Sequence, residues 1–164
     1  MTTNYLESLI SEWLQYNGMF VRTNVFVGPR QKGGYECELD IIAIDLNEKR
    51  ILHYEPTMDA LSWAKREIRF KRKFDAGKKY IPNLFSDFMK IHPDWIEQYA
   101  VLGFGSDKIH QKIGGGVIVT TKNLFAQILE DIRDKRIESQ AVSENMPCLR
   151  TIQFILNYFD VKTI

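Results

Sequence analysis

The chain has 164 residues, 45% hydrophobic and 12% aromatic, which is enough apolar matter for one sizeable core and excludes a disordered or collagen-like polymer. Lys and Arg number 22 against 21 Asp and Glu, a net charge of +1, so the protein is not coated in positive charge as a histone is. Two cysteines, Cys37 and Cys148, cannot build a disulfide framework, and no CxxC or Cys/His cluster offers a zinc site. The acidic start MTTNYLESLISEW lacks the cationic region of a signal peptide, and no run approaches the ~18 apolar residues of a membrane span. The expectation is a soluble, cytoplasmic protein with no membrane partner.

Leu6, Leu9, Ile10, Trp13 and Leu14 recur at helical spacing. They predict an amphipathic helix capped at Thr2, Thr3 or Asn4 and stopped by Asn17-Gly18. Residues 19–27, rich in β-branched and aromatic side chains, predict a strand, and the glycine-rich stretch 28–34 a turn. A second strand follows over 35–45, a polar turn over 47–50, and a third strand over 51–55 that Pro56 closes or bends. Residues 58–80 read as a helix with Trp63, Phe70 and Phe74 on one face and Gly77 ending the run. Leu84, Phe85 and Phe88 suggest a short helix, and residues 95–104 a loop with an edge strand or a strand. After the break at 114–116 comes a continuous apolar, buried strand over 117–121. Asn123 is expected to cap a helix to about Arg133, and residues 149–159 form the last helix. No repeat or low-complexity tract intervenes, so one domain over residues 1–164 is expected. The order α-β-β-β-α-(…)-β-α predicts an α/β or α+β sandwich: a mixed central β-sheet flanked by helices.

Two carboxylates interrupt the apolar second strand. Strand alternation places Glu38 and Asp40 on one face, and the short turn brings Asp40 beside Glu55 at the end of the third strand. Carboxylates in such a setting are costly to bury unless paired, hydrogen-bonded or metal-bound. Convergent oxygens of this kind suit Mg²⁺ or Mn²⁺; a solvated strand edge or Lys and Arg partners would explain them equally. His53 shares the face of Glu55.

These segments resemble the PD-(D/E)XK, or restriction-endonuclease-like, nuclease superfamily. The resemblance covers residues 5–80: Glu7 on the first helix, Gly18, the strand 20–27, Gly33-Gly34, Glu38-Leu39-Asp40-Ile41-Ile42-Ala43 and Tyr54-Glu55-Pro56-Thr57. It implies a restriction-endonuclease-like core and a metal held by Glu7, Asp40, Glu55 and the carbonyl of Pro56. It also implies a catalytic lysine two residues after Glu55, where this chain has Thr57. Either a lysine has moved to the following helix, with Lys71 and Lys73 as candidates because they flank its buried face, or the chain is a degenerate relative.

The stretch 61–80 carries eight cations against Glu67 and Asp75, which leaves the rest of the chain at −5. Lys65, Arg69 and Arg72 form one stripe opposite the apolar face, suited to successive phosphates or, more plainly, to solvent. No Walker loop and no Gly-x-Ser-x-Gly motif competes with this reading. The expectation is a Mg²⁺- or Mn²⁺-dependent endo- or exodeoxyribonuclease acting on DNA, with RNA open as substrate and a homodimer as partner. The alternative is a catalytically degenerate nuclease fold that serves as a nucleic-acid-binding or assembly subunit.

Overall fold

A computed structural model describes residues 4–87, 89–104 and 109–159. Helix α1 (Tyr5–Tyr16) leads into strands β1 (Phe20–Pro29), β2 (Tyr35–Asp45) and β3 (Arg50–Thr57). Helix α2 (Trp63–Leu84) crosses over to β4 (Ile96–Leu102), and a short hairpin of β5 (Lys112–Ile113) and β6 (Gly116–Thr120) follows. Helices α3 (Thr121–Ile132) and α4 (Pro147–Tyr158) complete the fold.

The six strands form one mixed sheet in the order β1-β2-β3-β4-β6-β5. β1, β2 and β3 are antiparallel neighbours, β3, β4 and β6 run parallel, and β5 turns back on β6. Alternate residues feed two cores. Leu52, Tyr54 and Val101 pack with Leu6, Leu9 and Ile10 of α1, Leu124 and Ile128 of α3, and Leu149 of α4. On the other face, Ala100 and Leu102 pack with Phe70 and Phe74 of α2, and Leu39, Ile42 and Ile51 pack with Ile81. Helices thus flank the mixed sheet on both sides, and no described helix is long and apolar enough to cross a membrane.

Several elements depart from expectation. The cap of α1 is Asn4, whose side chain accepts from the Glu7 N–H at 3.0 Å; Thr2 and Thr3 lie outside the described residues. Pro56 does not close β3, which pairs on with β4 to Thr57↔Leu102. The Thr57 carbonyl accepts from Gly103 on the β4 side at 2.8 Å. The Pro56 nitrogen, one residue back, therefore faces the β2 side, where no ladder bond is needed. Gly77 does not end α2. It lies mid-helix because a Cβ there would stand 2.5 Å from His53 Nδ1, and the helix runs on through Pro82 to Leu84. The short helix expected around Leu84 is instead the end of α2 followed by a turn, and Phe88 lies outside the described residues. β4 is central rather than an edge. β6 is not uniformly buried: Val117 is 43% exposed. The cap of α3 is Thr120, which accepts from the Asn123 N–H at 3.2 Å.

One irregularity organises the rest. The β2–β3 ladder runs from Asp45↔Arg50 to Ile41↔Tyr54 and stops, while β2 stays paired with β1 out to Tyr35↔Pro29. The sheet therefore forks beyond Ile41 and Tyr54. Opposite Asp40, Asn24 adopts a left-handed φ of 52° and its rung of the β1–β2 ladder is missing. Leu39 and Ile41, which strict alternation would put on one face, enter opposite cores. The simple alternation that would align Glu38 with Asp40 is therefore interrupted at Asp40 itself.

Candidate active site

Asp40 and Glu55 stand on the two prongs at the base of the fork. Their side chains are 14% and 2% exposed. Where the next backbone rung would be, the Asp40 N–H donates instead to Glu55 Oε1 at 3.1 Å. Lys73 comes in from α2, its side chain 10% exposed, and its ammonium contacts Asp40 Oδ1 and lies 2.6 Å from Glu55 Oε2. The second contact is one of charge proximity rather than a well-directed hydrogen bond.

Behind Glu55 lies a buried relay. Gln98 Nε2 donates to the Phe74 carbonyl at 2.8 Å and meets His53 Nδ1 at 3.1 Å. An amide NH₂ can only donate, so Nδ1 is the acceptor and the imidazole proton sits on Nε2. Nε2 then donates to Glu55 Oε1 at 2.8 Å. Burial, then the nearby Lys73 charge, pushes His53 down to about 3, in keeping with this neutral tautomer.

The carboxylates are strained electrostatically. Burial and the Glu55 charge push Asp40 up to about 7, against the pull of Lys73. Burial also raises Glu55, with Lys73 opposing. For Lys73, burial works to lower the value, but Glu55 and Asp40 outweigh it and hold the ammonium above its ordinary range. Glu7, half-buried on α1, is raised by burial and by the Asp40 charge. Glu38 Oε1 is buried with no hydrogen-bond partner among the described residues.

The two candidate lysines part company. The buried stripe of α2 is Arg66, Phe70, Lys73, Phe74, Gly77 and Ile81, spaced by three and four residues. Lys73 falls inside it. Lys71 falls outside, 64% exposed and paired with Asp75 at 2.8 Å, so the structure does not bring it to the carboxylates. Lys65, Arg69 and Arg72 lie exposed on α2 as expected, with Arg69 held by Asp59 at 2.5 Å. Thr57 is turned to another task. Its hydroxyl donates to Asp59 Oδ2 at 2.7 Å, and Asp59 in turn takes Arg66 and Arg69. Sequence reasoning missed Gln98 and Asp59. The signal for Gln98 was a lone amide in step with apolar Ala100 and Leu102.

Among the described residues no three His, Cys, Asp or Glu side chains converge tightly enough to cage a metal by themselves. Mg²⁺ does not require a cage, since it commonly keeps several waters and takes one or two carboxylates. The donor chemistry here fits that pattern: two adjacent carboxylates held above their usual range, with Glu55 Oε2 buried and not engaged in a well-directed hydrogen bond.

No family model matches the chain, and comparison with curated proteins gives no match. Among solved structures, one similar chain is a protein of unknown function designated AF1548. It is 11% identical with a TM-score of 0.47, and the match covers 93% of this chain and 95% of that one.

Proposed function

We propose that this protein is a divalent-metal-dependent nuclease of the PD-(D/E)XK kind that hydrolyses DNA phosphodiester bonds at the fork. The observation that carries the reading is Lys73. The chain has Thr57 where the motif has lysine, and a buried ammonium from the following helix contacts both Asp40 and Glu55. A lysine that has moved in sequence while keeping its place beside the carboxylates accounts for both facts. Asp40 and Glu55 are the residues that would hold Mg²⁺ or Mn²⁺, with Glu7 and the Pro56 carbonyl as further donors. Such an ion, when bound, activates water and stabilises charge on the phosphate. Lys73 supplies positive charge for the pentavalent phosphate, and the His53–Gln98 relay keeps the Glu55 carboxylate oriented. Lys65 and Arg72 offer their charges to the DNA backbone, with Arg69 beside them already paired to Asp59.

A second reading rests on the same lysine. Its ammonium already offsets one of the two carboxylate charges, as it would in a degenerate fold that binds DNA without cutting it. Cleavage of supercoiled, linear, single-stranded and branched DNA in Mg²⁺, Mn²⁺ or EDTA separates the two. Metal-dependent cutting that Asp40→Ala, Glu55→Ala and Lys73→Ala each abolish supports the nuclease. DNA binding that persists in EDTA, with no cutting of any substrate, overturns it in favour of the binding module.

A further inference from the structure

Beyond the fork, the β1–β2 hairpin carries an aromatic pair that packs into neither core. Phe26 and Tyr35 are 44% and 50% exposed, with ring centroids 5.3 Å apart and planes tilted by 34°. Phe26 stands directly across from Glu38, and Asp40 follows two residues along β2. At ~3.4 Å per residue, that puts Phe26 about 7 Å along the strand from the carboxylate, with Tyr35 about 17 Å away towards the tip of the same prong. The turn between the strands presents Arg30 and Lys32, both exposed, and Arg22 is likewise exposed nearer the fork on β1. The acid nearest the tip, Glu36, is occupied: it accepts from Tyr80 at 2.5 Å and pairs with Lys79 at 3.3 Å.

We infer that Phe26 and Tyr35 form a stacking platform for unpaired bases, and that the partner this hairpin recognises is single-stranded DNA leading to Asp40. The inference rests on the nuclease reading for its direction. Bases in a duplex are stacked on one another and cannot open a face to the rings, whereas every unpaired base can. The cations at the tip complement a phosphate backbone, and the platform stands on the prong of β1 and β2 that also carries Asp40. An exposed aromatic pair flanked by cations on a hairpin is the combination that sequence-tolerant single-strand binding uses.

The test is fluorescence anisotropy of labelled oligonucleotides with the Asp40→Asn protein in EDTA, so that no cleavage intervenes. Single-stranded DNA is expected to bind more tightly than the duplex of the same sequence. Phe26→Ala and Tyr35→Ala are each expected to weaken single-strand binding about tenfold and to leave duplex binding unchanged. Phe26→Leu, which keeps the apolar contact, is expected to weaken it as well, while Phe26→Trp and Tyr35→Phe retain it. Arg30→Ala and Lys32→Ala are expected to flatten the salt dependence, which the aromatic variants leave alone. Equal affinity for the duplex, or full affinity in Phe26→Ala, would overturn the platform, and tighter binding of RNA would overturn the choice of DNA. Metal-dependent cleavage without single-strand preference sinks the platform and spares the nuclease. Single-strand binding lost in Phe26→Ala, with no cleavage under any metal, sinks the nuclease and spares the platform.

Discussion

Replacing Asp40 with asparagine is expected to stabilise the folded protein above neutral pH. In the unfolded chain Asp40 ionises near 3.8, and in the folded protein burial and the Glu55 charge hold its proton to about 7. Below pH 4 both states carry the proton and Asp40 adds no pH dependence. As pH rises towards 7, the unfolded state gives the proton up first, so stability falls, and above 7 the folded state bears the full cost. A rise of about three pH units at ~1.4 kcal/mol each gives a ceiling of about 4 kcal/mol. The net gain of the variant is smaller because Lys73 loses one of its two counter-ions. Urea unfolding followed by tryptophan fluorescence at pH 4 and pH 8 measures it. With an m-value of ~2 kcal/mol/M, the variant's midpoint moves up by as much as ~2 M at pH 8 and stays near the parent's at pH 4. On the proposed metal reading, Mg²⁺ at pH 8 is expected to raise the parent's midpoint and not the variant's, because only the parent offers both carboxylates. Parallel stability curves for the two proteins from pH 4 to 8 would refute the reasoning, because Asp40 would then be ionising as freely when folded as when unfolded.

Three further outcomes follow from the packing. Lys73→Met leaves Asp40 and Glu55 buried without their cation and is expected to cost on the order of 3–5 kcal/mol at pH 8, less at pH 4.5, whereas Lys71→Ala leaves the unfolding midpoint where it was. Glu12→Ala is expected to lower stability by about 1–2 kcal/mol, read as a drop in Tm. Glu12 Oε2 accepts from the Leu149 N–H at 2.9 Å at the start of α4, where Met146 provides no side-chain cap, and Glu12→Gln keeps that acceptor. Gly77→Ala drives a methyl group against the His53 ring and is expected to cost about 1–3 kcal/mol. Imidazole NMR would then show the His53 Nε2 proton losing its Glu55 partner.

Much of the fold was legible because its signals are local. β2 spans the residues its β-branched run predicts, and α1 ends at the Asn17-Gly18 stop. What failed was decided by tertiary contact. A glycine at position 77 reads as a helix end in isolation, but here it is the gap that admits His53. The residues of β5 are too few to carry a period, and β4 became central only because α2 returns the chain beside β3. The same division holds at the site. A short turn was enough to anticipate Asp40 beside Glu55, since the last rung, Ile41↔Tyr54, makes them the next positions in register. Choosing Lys73 over Lys71 required knowing which stripe of α2 meets the sheet. Gln98 was hidden because a lone amide in a strand carries no label until its histidine is found.

The fork gives Glu55 a second duty. Its Oε1 takes the Asp40 N–H at the point where a neighbouring strand would have offered a carbonyl, so a side-chain oxygen serves as the final rung of the β2–β3 ladder. Architecture and acidity thus share one atom. Truncating Glu55 removes a charge and also frees the end of β2 from β3, and with it the prong on which Asp40 stands. Glutamine at this position keeps an acceptor for the rung while it discards the charge and turns an NH₂ group, in place of Oε2, towards Lys73. The contrast between Glu55→Gln and Glu55→Ala therefore divides the cohesion of the sheet from the chemistry that it frames.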